Sequence, residues 1–573
     1  MAECNVFFYM CYKNLMLKKH FLAAVLSVLA SWGFAHGQMD CASPVNYEII
    51  LAGNFGEPRP NHFHGGIDVK TERVEGKPIF SIADGYVERL TVGLYGFGNA
   101  VFVRHPEGYT SVYCHLKKFA PALQAALRRW QYSHESFQAD VHLRATDCPV
   151  AKGQLIALSG NTGSSQAPHL HLEIHDTRTW NMLDPMDFLK PFVRDATPPQ
   201  AHAFMAYPMP GEGVFNGGAT QQYFGFSSHQ LTREFTAWGR VGFGLWANDY
   251  MEQSYNNYGI RQTILSVDGR EVFRSDVNNI PMDGNLMVNS WGDYQHYLHS
   301  NVWYMRSYLE PGNTLPILRA DENRGIIDFN EERSYQLKYT LIDFAGNTSE
   351  YEFTVRGEKR AIPPAQPANV MRLMQWNRVN HLFAEGAELV LPKHVLAKNV
   401  ELSPRSVSQP SRYSDAFTPQ TTGSFPLLSW ARLRLKCHTS RPVSDSTKLY
   451  VVSHWGTDRY MGGKCKNGWV EARVRELAAT YEVEYDDQPP LVNAMSLGQR
   501  ITIGLSDAKS GISTYKGYVD GQFVLFEEVA KSPWVSCDLT KTPVKRTGKP
   551  RKLKFMARDN CNNERIYEAQ FTY

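Results

Sequence analysis

From Ile49 to about Val193, short β-branched runs alternate with glycine-centred breaks: Lys77-Pro78-Ile79-Phe80-Ser81-Ile82-Ala83, Gly85-Tyr86-Val87 and Ala100-Val101-Phe102-Val103. Runs of this length bounded by turn formers predict antiparallel strands. From about Pro121 to Tyr132, Ala, Leu, Gln and Arg dominate without an interior Gly or Pro, which predicts one helix inserted between strands. Asp195-Ala196-Thr197-Pro198-Pro199 and, far downstream, Asp486-Asp487-Gln488-Pro489-Pro490 read as domain boundaries.

The segments after the two Pro-Pro breaks also repeat each other. Phe243-Gly244-Leu245 and Asp268-Gly269 in one unit answer Ile503-Gly504-Leu505 and Asp520-Gly521 in the other. Leu337-Lys338-Tyr339 leads to Asp343-Phe344-Ala345-Gly346-Asn347, just as Leu553-Lys554-Phe555 leads to Asp559-Asn560-Cys561-Asn562-Asn563. Alternating strands joined by such turns predict β-sandwiches of the Ig-like type. Asp268, Asp343, Asp520 and Asp559 read as turn formers rather than calcium ligands. A Pro-rich linker from Gly357 to Asn369 opens a further β-rich stretch. The expected division is a leader and signal peptide at 1–37, a first domain at 38–195, a sandwich at 196–357, a β-rich middle domain at 358–490 and a second sandwich at 491–573.

Length agrees, because 573 residues exceed what one core organises. With 43% hydrophobic and 20% charged residues, wholesale disorder and a polytopic membrane protein are excluded. A net charge of +3 does not resemble the balance of a nucleic-acid-binding protein. The one long apolar run, Phe21 to Phe34 behind Lys18 and Lys19, is too short to span a bilayer well. With Ala35 and Gly37 it fits a secretory signal cut before Gln38, and the residues before Met16 read as a leader outside it, with a start expected at Met16 or nearby. No integral membrane segment is expected after its removal. Cys41 lacks the small residue that a lipid-anchoring signal places before its cysteine. Export permits disulfides; Cys437 with Cys465 and Cys537 with Cys561 would each close a short loop, contributing about 3 kcal/mol.

Candidate chemistry is concentrated in the first domain. In His62-Phe63-His64-Gly65-Gly66-Ile67-Asp68, a straight strand would hold residues 64 and 68 about 13 Å apart, so the glycines are read as a bend that brings them together. In Pro168-His169-Leu170-His171-Leu172, alternation puts both histidines on one face. Ser111-Val112-Tyr113-Cys114-His115 adds another histidine late in a strand, with Cys114 expected on the opposite face and in the core.

These motifs, with Asn54-Phe55-Gly56, Arg59, Ala83-Asp84-Gly85-Tyr86-Val87, Gly96-Phe97-Gly98-Asn99 and Ser159-Gly160-Asn161-Thr162-Gly163-Ser164-Ser165, resemble the lysostaphin-type or LytM-like zinc endopeptidases, marked by H-x3-D and then H-x-H. The resemblance covers roughly residues 46 to 190. It implies a mostly β fold with an antiparallel LytM-like domain of the duplicated hybrid motif. It further implies one zinc ion held by His64, Asp68 and His171, with water completing the tetrahedron. His169 would then be the general base, and His115 would position water or stabilise the oxyanion. The implied partner is the stem peptides or cross-links of bacterial peptidoglycan, met in the periplasm, at the outer membrane or outside the cell.

Two departures stand out. The stretch between Leu116 and Gly153 is long for the family and is expected to cap or narrow the groove, and Gln166-Ala167 replaces the usual Thr-Gly. The alternative is a silent or latent relative that binds the wall or regulates other hydrolases, although such relatives typically lose ligands. A scaffold with a structural metal would instead need four protein ligands.

Overall fold

The computed structural model describes residues 38–420 and 426–573; the expected leader at 1–37 lies outside them. Strands dominate and pair antiparallel almost throughout. In the first domain the principal strands are β1 (Leu51–Gly53), β2 (Ile67–Lys70), β3 (Gly85–Val92), β4 (Ala100–Arg104), β5 (Tyr109–Cys114), β6 (Ala139–His142) and β7 (His169–Asp176). They lie in the order β1-β2-β7-β5-β4-β3-β6. Ile67, Val69, Leu170, Leu172 and Ile174 are fully buried in the core on one side, so the alternate positions of β2 and β7 are turned to the other face. That alternation delivers Asp68, His169, His171, Glu173 and His175 to a common face.

The inserted helix, α1 (Pro121–His134), starts with Pro at its first position and ends where Glu135 turns left-handed at φ 47°. It buries Leu123, Ala126 and Leu127 against the domain. Its outer surface carries the C-terminal unit. Arg128 donates to Glu527 at 2.6 Å, Tyr518 Oη donates to Glu135 at 2.6 Å, and Tyr132 meets Phe523 edge-on at 5.4 Å.

Residues 200–357 form a single large sheet wrapped around one aromatic-rich core, with β8 (Gln200–Phe215) and β9 (Gln230–Met251) running through it. No regular element lies between Gly357 and Leu373, as the Pro-rich composition requires. Beyond it, two five-stranded sheets enclose one core; two four-stranded sheets, one containing β10 (Leu491–Ser496) and β11 (Arg500–Ser506), enclose another.

The repeat is visible as hydrogen bonds. Asp343 Oδ1 accepts from the amides of Gly346 and Asn347, and Asp559 Oδ1 accepts from those of Cys561 and Asn563. All seven described cysteines are free thiols. Cys437 and Cys465 do lie side by side, but the expected Cys537 and Cys561 pair does not form. Cys537 is packed inside the last unit's core, whereas Cys561 faces outward onto Tyr450 and Val452 of the preceding unit.

Candidate active site

Register does most of the assembly. In β7, His171 stands directly across from Asp68 of β2, and paired residues of adjacent antiparallel strands share a face. His64 reaches the same point because the chain folds back through Gly65-Gly66. Both glycines keep ordinary φ; what they supply is close approach. A Cβ on Gly66 would sit 2.1 Å from the Leu172 carbonyl oxygen, and one on Gly65 would sit 2.6 Å from Glu173 Oε1.

Three donor atoms converge there. His64 Nε2 lies 3.0 Å from Asp68 Oδ1 and 3.0 Å from His171 Nδ1, and His171 Nδ1 lies 2.8 Å from Asp68 Oδ1. All three residues are buried. His169 Nε2 stands 3.3 Å from the same carboxylate, half-buried at the cleft wall. His115 closes the group, its ring 4.9 Å from that of His169 and 5.7 Å from that of His171.

The far nitrogen of every one of these rings is held. His64 Nδ1 donates to the Asn54 carbonyl at 2.6 Å, His115 Nδ1 to the Thr162 carbonyl at 2.8 Å and His169 Nδ1 to the Ala167 carbonyl at 2.8 Å. His171 Nε2 donates to Glu173 Oε1 at 2.9 Å, and Glu173 Oε2 accepts from His175 Nε2 at 2.6 Å. A ring whose rear N–H is committed presents its other nitrogen forward in a fixed orientation, as metal-ligating imidazoles require.

Electrostatics follow from burial and from these partners. Burial pushes His115 down to about 3, with His171 and His169 adding to the effect, so its imidazole is neutral. Burial lowers His64 as well, against the pull of Asp68. Burial also opposes charge on His171, yet hydrogen bonds to Asp68 and Glu173 outweigh it and raise the group to about 9. Burial would raise Asp68, but His64 and the hydrogen bonds from its histidine neighbours hold it well below the carboxylate range. A cation docking on His171 Nδ1 therefore displaces a proton. Arg59, donating to Asp68 Oδ2 at 3.2 Å, caps the carboxylate on the other side.

The structure brings all five predicted residues together: His64, Asp68, His115, His169 and His171. It differs over Cys114, which is fully buried as expected but on the site's own face, directly across from His171. β5 ends at Cys114, and His115 takes a left-handed conformation at φ 58° that breaks the alternation. Glu173 and His175 were missed, although H-x-H-x-E-x-H extends the same alternation by two more positions.

The expected cap is also corrected. The open cleft over the cluster, of 1110 Å³, is lined by none of the residues between Leu116 and Gly153. Its far wall comes from the second unit, through Asn256, Met282 and Asn285. That unit also braces the ligand-bearing loop. Asn285 Oδ1 accepts from the Phe63 amide at 2.6 Å, Asn289 Oδ1 accepts from the Asn61 amide at 3.0 Å, and Trp291 packs on Phe63 at 6.1 Å.

A buried His/Asp/His cluster at the floor of an open cleft has the donor types of a metallopeptidase site. Residues 62–126 match the model of peptidase family M23, and residues 371–486 match that of a Zu5-like domain. An uncharacterized metalloprotease of Haemophilus influenzae is 36% identical over 120 residues, which are 21% of this chain and 19% of that protein. The peptidoglycan DD-endopeptidase ShyA of Vibrio cholerae is 30% identical over 23% of this chain and 26% of its own length. Lipoprotein NlpD of Yersinia enterocolitica is 31% identical over 17% of this chain and 77% of its own. The chain belongs to peptidase family M23, while spanning only 19% of the first of these relatives.

Proposed function

We propose that this protein is an exported zinc-dependent endopeptidase that hydrolyses peptide cross-links of bacterial cell-wall peptidoglycan. The observation that carries the reading is the convergence of His64 Nε2, Asp68 Oδ1 and His171 Nδ1, each within 3.0 Å of the others and each ring held from behind. Two imidazoles and one carboxylate are the donor types of a catalytic zinc site, three protein ligands with one position open. A zinc ion there supplies Lewis acidity, polarising the scissile carbonyl and lowering the pKa of water.

The chain's own residues do the rest. His169, with Nδ1–H committed to Ala167, offers Nε2 as the base that takes a proton from the attacking water and returns it to the leaving amine. His115, oriented by the Thr162 carbonyl, faces the same space and holds that water or the developing oxyanion. The cleft is broad enough for an extended stem peptide, and its floor and far wall come from different units. That residues 117–152 do not line the groove supports the active reading over the latent one. A periplasmic or outer-membrane setting accords with the peptidoglycan named as the substrate of ShyA. The units after 195 then orient and anchor the peptidase.

The test is one zinc per chain by metal analysis, together with chelator-sensitive release of peptides from purified sacculi. One bound zinc without any stem-peptide cleavage would favour a regulator of other hydrolases over an enzyme.

A further inference from the structure

Away from the peptidase cleft, the second unit holds three aspartates with no counter-charge. Asp195 lies where the chain leaves the first domain, Asp249 near the end of β9, and Asp343 in the loop before Asn347. One carboxylate oxygen from each lies within 4.8 Å of the others. Asp249 is 2% exposed and Asp343 3%. Asp249 Oδ1 and Asp195 Oδ2 are buried without any hydrogen-bond partner. Among the described residues no lysine or arginine forms an ion pair with the three, and another carboxylate, Glu252, adds to the negative field at Asp195. Burial, then the neighbouring carboxylates, push Asp249 up to about 8, and burial chiefly raises Asp195 to about 7.

The last unit contains the same frame and serves as an internal comparison. Asp486, Asp507 and Asp559 again converge within 4.8 Å. The correspondence is positional. Gln200, after one Pro-Pro, pairs with Asn248 beside Asp249, and Leu491, after the other, pairs with Ser506 beside Asp507. Asn347 Nδ2 donates to the Asp195 carbonyl as Asn563 Nδ2 donates to that of Asp486. In the last unit, however, a tight loop supplies amides. Asp486 Oδ2 accepts from Ser510 N, and Asp507 Oδ1 accepts from Lys509 N and Gly511 N. In the second unit the Thr197 amide donates to Asp195 Oδ1 and the Tyr250 backbone hydrogen-bonds to Asp249, but Asp249 Oδ1 and Asp195 Oδ2 receive no donor.

We propose that Asp195, Asp249 and Asp343 form a calcium site that fastens the second unit to the end of the peptidase domain, so that Asp343, expected from sequence to form only a turn, does both. All donors are hard carboxylate oxygens, and their two orphaned atoms accept a cation where the sister frame accepts amides. Three carboxylates leave coordination positions for backbone carbonyls and water, the mixed oxygen shell that calcium accepts and magnesium resists. The site is independent of the histidine cluster. By joining the domain exit to β9 and the Asp343 loop, it fixes the unit that supplies Met282 and Asn285 to the cleft wall.

Calcium chloride titrated calorimetrically into the divalent-free full chain should reveal one site, with a higher midpoint of thermal unfolding. Asp249→Asn should weaken that binding at least tenfold while keeping the fold, because the amide removes the repulsion. If Asp249→Asn does not fold, Asp195→Asn, at the half-exposed position, should give the same loss. His171→Ala should leave calcium binding intact, and Asp507→Asn should do so too. Absence of calcium binding in the wild-type chain, or its survival in Asp249→Asn and Asp195→Asn, would overturn the proposal. So would equal preference for magnesium chloride, or loss of binding in His171→Ala.

Discussion

His171 shows how much a single residue carries: one ring nitrogen points at His64 and Asp68, the other is locked by Glu173. Replacing His64, Asp68 or His171 by Ala should abolish zinc binding and hydrolysis together, and metal analysis showing full occupancy would remove that residue from the ligand set. His169→Ala should retain zinc and lose roughly a hundredfold or more in turnover, the scale of general-base loss. Glu173→Gln tests the support behind the ligand. Zinc affinity should fall about 10- to 100-fold, as is usual when an outer-shell partner is altered, with the fold unchanged by circular dichroism. The first-contact residues were legible because histidine and aspartate at H-x3-D and H-x-H are rare in combination. Glu173 was less so, since a glutamate in a strand also reads as a solvent-facing residue; alternation puts it on the face of His171, but nothing in the pattern shows that this face is buried and that its carboxylate meets the ring.

Among the elements, β2 and β7 were readable from period-two alternation, and α1 from its uninterrupted helix formers. The glycines joining the ligand loop to β2 read as a bend in the sequence; the structure adds that they are close-approach positions. Gly66→Ala should therefore destabilise the first domain by about 1–3 kcal/mol through overpacking against the Leu172 carbonyl, measurable by denaturant unfolding. The face of Cys114 was misread because alternation was carried one residue past the strand's end, where His115 turns left-handed. No local pattern marks that φ. The insertion was misplaced for a related reason: length shows that α1 exists, not which neighbour its outer face meets.

Across the whole molecule, the units after residue 195 are structural partners of the site. Asn285 and Trp291 hold the loop carrying His64, while the last unit grips α1 and reaches back to the Gly163 carbonyl through Lys531 Nζ at 2.9 Å. None of this was legible in sequence, where the repeats identify units but not their mutual contacts. Phe137 stacks on Tyr515 at 6.1 Å, so Phe137→Asp should release the last unit, seen as an increased radius of gyration by small-angle scattering. The measurement that tests the central claim most directly is mass spectrometry of fragments released from purified sacculi by wild-type and His169→Ala chains carrying equal zinc. The account predicts stem-peptide cuts from the wild type, suppressed by a zinc chelator and about a hundredfold slower in the variant. Equal release by both chains, or release that survives the chelator, would contradict it.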